Sequence, residues 1–256
     1  MERNRIPFLG LQFDNLDKHE VLNRVEQFIH DKKNCMIFTP NAALLVWSQK
    51  DQFLREVYNS SDILTVDGMA IYYAMHIMGT PVKESLSASL LFYPILELSQ
   101  QKGYGIYLVG AKEEILQKTV DNICEQYSGI QISGYHHGYF DPENPPEELI
   151  QDIQDKKPDI LLIGMSSPHK EKFVVSNMDK MNVPVSLGVG GMFDIAAGVT
   201  KFAPEWMRMM CLEWFYRLIQ EPRRMWKRYL TTNSIFLWLC LNAFIKKYLL
   251  FSRTDQ

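Results

Sequence analysis

Long apolar runs are missing from this 256-residue sequence. Its most apolar stretch, residues 235–245 (IFLWLCLNAFI), ends after eleven residues at Lys246 and Lys247. A helix that spans a bilayer needs about 20, so no membrane span is expected. Cysteine is scarce and scattered: Cys35, Cys124, Cys211 and Cys240 form no C-x-x-C pair. That excludes a zinc-finger spacing and offers no disulfide framework. The first residues, MERNRIP, lack the apolar core of a secretory signal, and a reducing cytoplasmic location is the expectation. Positive charge is not in excess either. A formal net charge of −3 excludes a globally basic nucleic-acid binder. Also absent are D-x-D and H-E-x-x-H for metals, G-x-S-x-G for acyl transfer, and a G-x-G-x-x-G after the first strand for dinucleotides. Adjacent His136 and His137 do not make a metal pair, since neighbouring residues rarely point at one ion.

The sequence does hold enough apolar residues, 46%, against 22% charged ones, to bury a real core in one large or two small domains. Short apolar runs at 35–38, 63–66, 104–110, 159–164 and 185–190, with a shorter one near 130–133, read as strands. Between them lie helical patterns at 41–58, 69–78, 90–101, 112–126, 145–157 and 168–181. Strands alternating with helices predict an α/β fold: a Rossmann-like, mostly parallel sheet with helices on both faces. Near residue 200 the character changes. Residues 204–220 read as one aromatic helix, broken by Pro222 and followed by a basic, aromatic segment. The first 200 residues carry a net charge of −9 and residues 201–256 a net charge of +6. We therefore expect an α/β catalytic domain over 1–200 and a basic helical appendage over 201–256 that meets an anionic partner.

Ligands of open α/β sheets bind at the carboxyl ends of the strands. Four such ends are unusual: Thr39-Pro40-Asn41, Asp67-Gly68, residues 164–172 (GMSSPHKEK) and residues 188–194 (GVGGMFD). Each has an ordinary reading as well. Thr39 and Asn41 are helix-capping types, and Asp67-Gly68 is a common turn. The Met and aromatic residues of 207–215 are chiefly packing. Four polar ends on one face of a sheet nevertheless point to a site.

Several strings occur in a telling order: TPN at 39–41, DG at 67–68, GYHHGYF at 134–140, SPHKEK at 167–172, GVGGMFD at 188–194, APEW at 203–206, EWFYRL at 213–218 and EPRR at 221–224. Over nearly its whole length the chain resembles the WecG/TagA/CpsF glycosyltransferase family. That resemblance implies an inverting enzyme that moves a sugar from a UDP-sugar donor to a polyprenyl-diphosphate-linked saccharide, in making wall or surface polysaccharides. The implied donors are UDP-N-acetylmannosamine, its uronic acid or UDP-glucose. Asp67 matches the family's general base, and Thr39 and Asn41 match positions lining the sugar pocket. Tyr139 and Asp194 match nucleotide contacts, and Arg217, Arg224 and Lys227 match cations that close over the diphosphate. Lys170, Lys172, Gly190 and Gly191, on the same strand-end strings, are expected to bind substrate. No metal or other cofactor is expected, cations of the chain taking that part. The expected location is the inner face of the cell membrane, held peripherally by anionic lipid, with no nucleic-acid partner; self-association into a homo-oligomer stays open. Two departures stand out. The family's S-P-K-Q-E-K-W reads SPHKEKF at 167–173, with Lys170 for the Gln. Its R-V-x-G-x-D-L reads SLSASLL at 85–91, without the Arg and the Asp. The alternative reading is thus a catalytically impaired sugar-nucleotide-binding subunit of a polysaccharide assembly.

Overall fold

Apolar runs too short for helices become a parallel sheet. A computed structural model describes residues 4–250, apart from the side chains of residues 224, 225, 228, 249 and 250. Its strands are β3 (Cys35–Phe38), β4 (Ile63–Leu64), β5 (Gly105–Gly110), β6 (Gln131–His136), β7 (Ile160–Gly164) and β8 (Val185–Gly188). They lie in the order β4-β3-β8-β7-β5-β6, and every neighbouring pair is parallel. The two-residue period of a strand divides their side chains between two cores. Met36, Phe38, Tyr107, Val109, Leu161 and Ile163 face one. Ile37, Ile106, Leu108, Ile160, Leu162 and Leu187 face the other.

The first core is covered by α2 (Ala42–Ser48), α3 (Gln52–Ser60), α4 (Met69–Ile77), α7 (Glu147–Lys156) and α8 (His169–Met181). The second is covered by α1 (Lys18–His30), α5 (Ala88–Lys102), α6 (Glu113–Gln126) and α9 (Met192–Ala196). The predicted Rossmann-like sheet with helices on both faces is therefore present. Strands β3 and β8 are neighbours, yet the helices that follow them, α2 and α9, leave on opposite faces. This is the crevice where α/β sheets bind ligands.

An N-terminal hairpin and α1 escaped the periodicity reading. Strands β1 (Arg5–Phe8) and β2 (Leu11–Asp14) pair antiparallel about Leu9 and Gly10, both at positive φ, the two-residue turn that suits strand twist. Asp14 of this hairpin is buried; it takes the edge amide of Leu64 at 2.9 Å and ion-pairs with Arg5 at 3.2 Å. The hairpin thus covers an otherwise open sheet edge. Asp17 and Glu20 form a capping box that starts α1.

Two predicted helices are each split. The helix expected over 41–58 breaks at Asp51, whose carboxylate accepts from the Leu54 amide at 3.1 Å and so begins α3. The helix expected over 204–220 is instead α10 (Glu205–Met209) and α11 (Glu213–Gln220). Between them Cys211 takes φ 61°, its amide bonding Arg208 O and that of Leu212 bonding Met207 O. That pair of bonds is a Schellman turn with cysteine where glycine is usual. Pro222 does not only end a helix; it opens α12 (Pro222–Ile245), about 36 Å long and continued by a π-helical turn, Lys246–Leu250. Helix α12 lies against α2, burying Phe236 and Thr232, while Leu237, Trp238 and Leu241 are exposed. Among the described residues no helix is long and apolar enough to cross a membrane.

Candidate functional site

The ends of β3 and β4 run on together past their ladder. Asn41 and Asp67 form a parallel bridge, and the Asp67 amide donates to Pro40 O at 3.4 Å. Asn41 caps α2 through its carbonyl oxygen, which accepts from the Leu44 amide at 3.2 Å. Gly68 then turns the chain into α4 at φ 102°, a conformation essentially reserved for glycine. Ser85 braces this turn from behind: its hydroxyl accepts from the Gly68 amide at 3.2 Å and donates to Val66 O at 3.4 Å. Asp67 is left half-buried at the strand end.

Above it opens a cavity of about 960 Å³. It is lined by Asn41, Asp67 and Gly68, by Tyr73 and Ile77 of α4, and by Leu230, Leu237, Leu241 and Phe244 of α12. Arg208, Glu213 and Arg217, from α10 and α11, bring the charge. Desolvation, with help from the Glu213 carboxylate, pushes the Asp67 pKa up to about 7, against the pull of Arg217 and Lys170. Burial draws the Arg217 guanidinium down, but Glu213, Tyr229, Asp67 and Glu221 together hold its pKa above the ordinary value. Arg217 and Glu213, 3.3 Å apart, also line a second pocket of about 60 Å³ with Gly191, Asp194 and Gln220. They stand as the wall between the two.

Lys170 reaches the region from α8. Its stem crosses Gly188, where a Cβ would come within 3.1 Å of Lys170 Cδ and Cε, so a side chain at the end of β8 would crowd the lysine. Glu171 holds it from beneath. This carboxylate is fully buried, and one oxygen, Oε1, meets Lys170 Nζ at 2.7 Å and accepts from Tyr58 and Ser167 at 2.8 Å each. Lys170 also donates to the Ser167 hydroxyl.

The remaining sequence-predicted positions are placed apart from the large cavity. Thr39 is buried at the end of β3 and lines neither pocket. Gly191 and Asp194 line the small pocket, and Gly190, at φ 54°, lines neither. Tyr139 is 66% exposed on the loop after β6, and Lys172 pairs with Glu143 at 2.7 Å on the outer side of α8. Lys227 is exposed, its ammonium 5.5 Å from the Trp226 ring centre, and the side chain of Arg224 lies outside the described residues. Among the described residues no three His, Cys, Asp or Glu side chains are grouped to hold a metal ion. His136 bonds the His137 carbonyl oxygen at 2.8 Å. Arg208 and Glu213 were missed in the sequence. Their only signal was a charge inside an aromatic helical run that reads as one packing helix.

A strand-end carboxylate, a cation beside it and a large apolar-walled cavity suit deprotonation of a hydroxyl next to an anionic leaving group. Comparison with known proteins agrees with such chemistry. The model of the glycosyl transferase WecG/TagA/CpsF family matches residues 6–249. An N-acetylglucosaminyldiphosphoundecaprenol N-acetyl-beta-D-mannosaminyltransferase of Bacillus subtilis (strain 168) is 31% identical over 218 residues, 85% of this chain and 80% of that protein. The Staphylococcus aureus (strain MW2) protein of the same name is 26% identical over 237 residues, covering 92% and 91%.

Proposed function

The chain belongs to the glycosyl transferase WecG/TagA/CpsF family, and on that premise we propose that it moves N-acetylmannosamine from its UDP-linked form to a polyprenyl-diphosphate-linked saccharide during synthesis of a wall or surface polymer. The names of the relatives favour this donor over the related uronic acid or UDP-glucose. The observation that carries the reading is Asp67, a carboxylate at the strand-end floor of a cavity it shares with Arg217.

In this reaction the acceptor hydroxyl oxygen attacks the anomeric carbon while the bond to UDP breaks on the opposite face, inverting that carbon. Asp67 takes the hydroxyl proton. A pKa near 7 suits a base that must accept a proton at neutral pH and give it up again. Charge on the departing diphosphate is balanced by Arg217, to which the family match adds Arg224 and Lys227, and by the nearby Lys170. Asn41 bounds the sugar, with Thr39 buried beside it in the chain, and Tyr139, Asp194 and the Gly190-Gly191 turn attend the nucleotide, with Lys172 at the margin. Cations of the chain do the work of a metal here. Its lipid-linked acceptor brings the enzyme to the inner membrane face, where Leu237, Trp238 and Leu241 of α12 offer apolar surface.

A panel of the three UDP-sugars with a polyprenyl-diphosphate-N-acetylglucosamine analogue, read by mass spectrometry with and without EDTA, tests this. One added N-acetylmannosamine, undiminished by EDTA, is expected. Activity restored to EDTA-treated enzyme only by Mg²⁺ or Mn²⁺ would refute the metal-free step. Binding of UDP-sugars with no transfer from any of them would replace the reading with a sugar-nucleotide-binding subunit.

A further inference from the structure

Arg208 stands apart from Arg217 and Lys170, the cations that act on Asp67. Arg217 is held by Glu213 at 3.3 Å, and Lys170 is held by Glu171. The Arg208 guanidinium has no hydrogen-bond or ion-pair partner among the described residues, and its Nε is buried without one. A buried guanidinium nitrogen without an acceptor costs stability unless a ligand supplies one. The residue is also held in place. The Schellman turn at Cys211 closes α10 directly after it, Met207 beside it is buried, and Tyr73 Oη of α4 donates to Met209 O at 3.4 Å. Arg208 therefore projects from a fixed helix into the cavity.

One cavity joins three kinds of chemistry. Asp67 enters it from a strand end and Arg208 from α10. Ile77 of α4 and Leu230, Leu237 and Leu241 of α12 give it an apolar trough. The trough is open to the outside, since Ile77, Leu230 and Leu237 are all more than 60% exposed. Arg208 does not line the small pocket that Arg217 shares with Gly191 and Asp194. We infer that Arg208 binds the diphosphate of an isoprenoid-diphosphate acceptor whose first isoprene units lie in the trough between α4 and α12. A hydroxyl on the attached sugar then meets Asp67, the diphosphate meets Arg208, and the chain meets the leucines. This assignment rests on the glycosyl-transfer reading and names which cation serves the acceptor and not the donor.

Binding is measured on the full chain without donor, by calorimetry with farnesyl diphosphate, dimethylallyl diphosphate, farnesol and UDP. Wild type is expected to bind farnesyl diphosphate at least tenfold tighter than farnesol or dimethylallyl diphosphate. Arg208→Met should weaken farnesyl diphosphate tenfold or more while leaving UDP within twofold, and Arg208→Lys should restore part of the loss. In transfer assays Arg208→Met should raise the acceptor KM with the donor KM unchanged. Leu237→Arg, at an exposed site where folding tolerates it, should weaken farnesyl but not dimethylallyl diphosphate, and so keeps the test open if Arg208→Met fails to fold. The inference is overturned if Arg208→Met leaves farnesyl diphosphate affinity intact or removes UDP binding instead. It is also overturned if chain length has no effect, or if lyso-phosphatidylglycerol competes as well as the diphosphate does. Sugar transfer without farnesyl diphosphate binding would overturn this assignment alone. The reverse pattern, binding without transfer from any donor, would strike the glycosyl-transfer reading instead.

Discussion

The surroundings of Asp67, the proposed base, set when it can take a proton. Ionisation is resisted by desolvation and by Glu213, and favoured by Arg217 and Lys170, giving a pKa of about 7 in place of 3.8. The base form is the carboxylate, so kcat/KM for the free enzyme should fall with unit slope below about pH 7 and level off above it. Glu213→Gln removes a like charge and should move that limb to lower pH. Lys170→Gln removes an opposite charge and should move it higher. Asp67→Asn should lower kcat by about 10²–10⁴-fold with UDP binding retained. The linkage has a sign as well. A carboxyl whose folded pKa is raised destabilises the fold once pH exceeds its unfolded pKa, most fully above about 7. Asp67→Asn should therefore melt higher than wild type at pH 8 and equally with it at pH 3, read by thermal denaturation. Near-normal turnover, or no pH dependence of the melting difference, would count against Asp67 as the base.

At the scale of elements, the site depends on how a strand turns into a helix. Gly68 joins β4 to α4 at φ 102° and ψ 143°, and a Cβ there would meet no atom within 4 Å. Damage from Gly68→Ala is then conformational and not steric, about 1–3 kcal/mol of lost stability in urea unfolding. The same strain acts on the carbonyl and amide that orient Asp67, so kcat should fall with it; unchanged stability would mean that the turn relaxes freely. Asp67-Gly68 and Thr39-Pro40-Asn41 were legible because turn and cap chemistry is local. Cys211 was not legible, because a left-handed residue is normally read from glycine, and cysteine gave no warning that one helix is two. The break matters functionally: it lets Arg208 and Arg217 enter one cavity from separate helices.

Across the whole molecule, α12 is buried on one side and exposed on another. Phe236 and Thr232 bury one side against α2, and Trp238 stands out on the other at 61% exposure. Packing and membrane contact are therefore not alternatives for this helix. Removing it would unroof the cavity, so a point change is the cleaner probe. Trp238→Glu, which lines neither pocket, should reduce co-sedimentation with anionic liposomes several-fold and leave transfer to a soluble acceptor near normal. Equal liposome binding by wild type and variant would place the membrane contact elsewhere.

Local chemistry was enough to determine the sheet strands, most helices, their alternation and the strand-end carboxylate. Apolar periodicity and turn residues act over a few positions, and the family strings are contiguous in the chain. What the chain order left undecided was proximity. Only the strand order, with β8 returning beside β3, sends α2 and α9 to opposite faces, and only the bridge from Asn41 to Asp67 brings that carboxylate to the end of β3. The lean of α12 on α2 turns leucines far along the chain into a cavity wall. Desolvation, a property of the assembled fold, raises the Asp67 pKa to about 7.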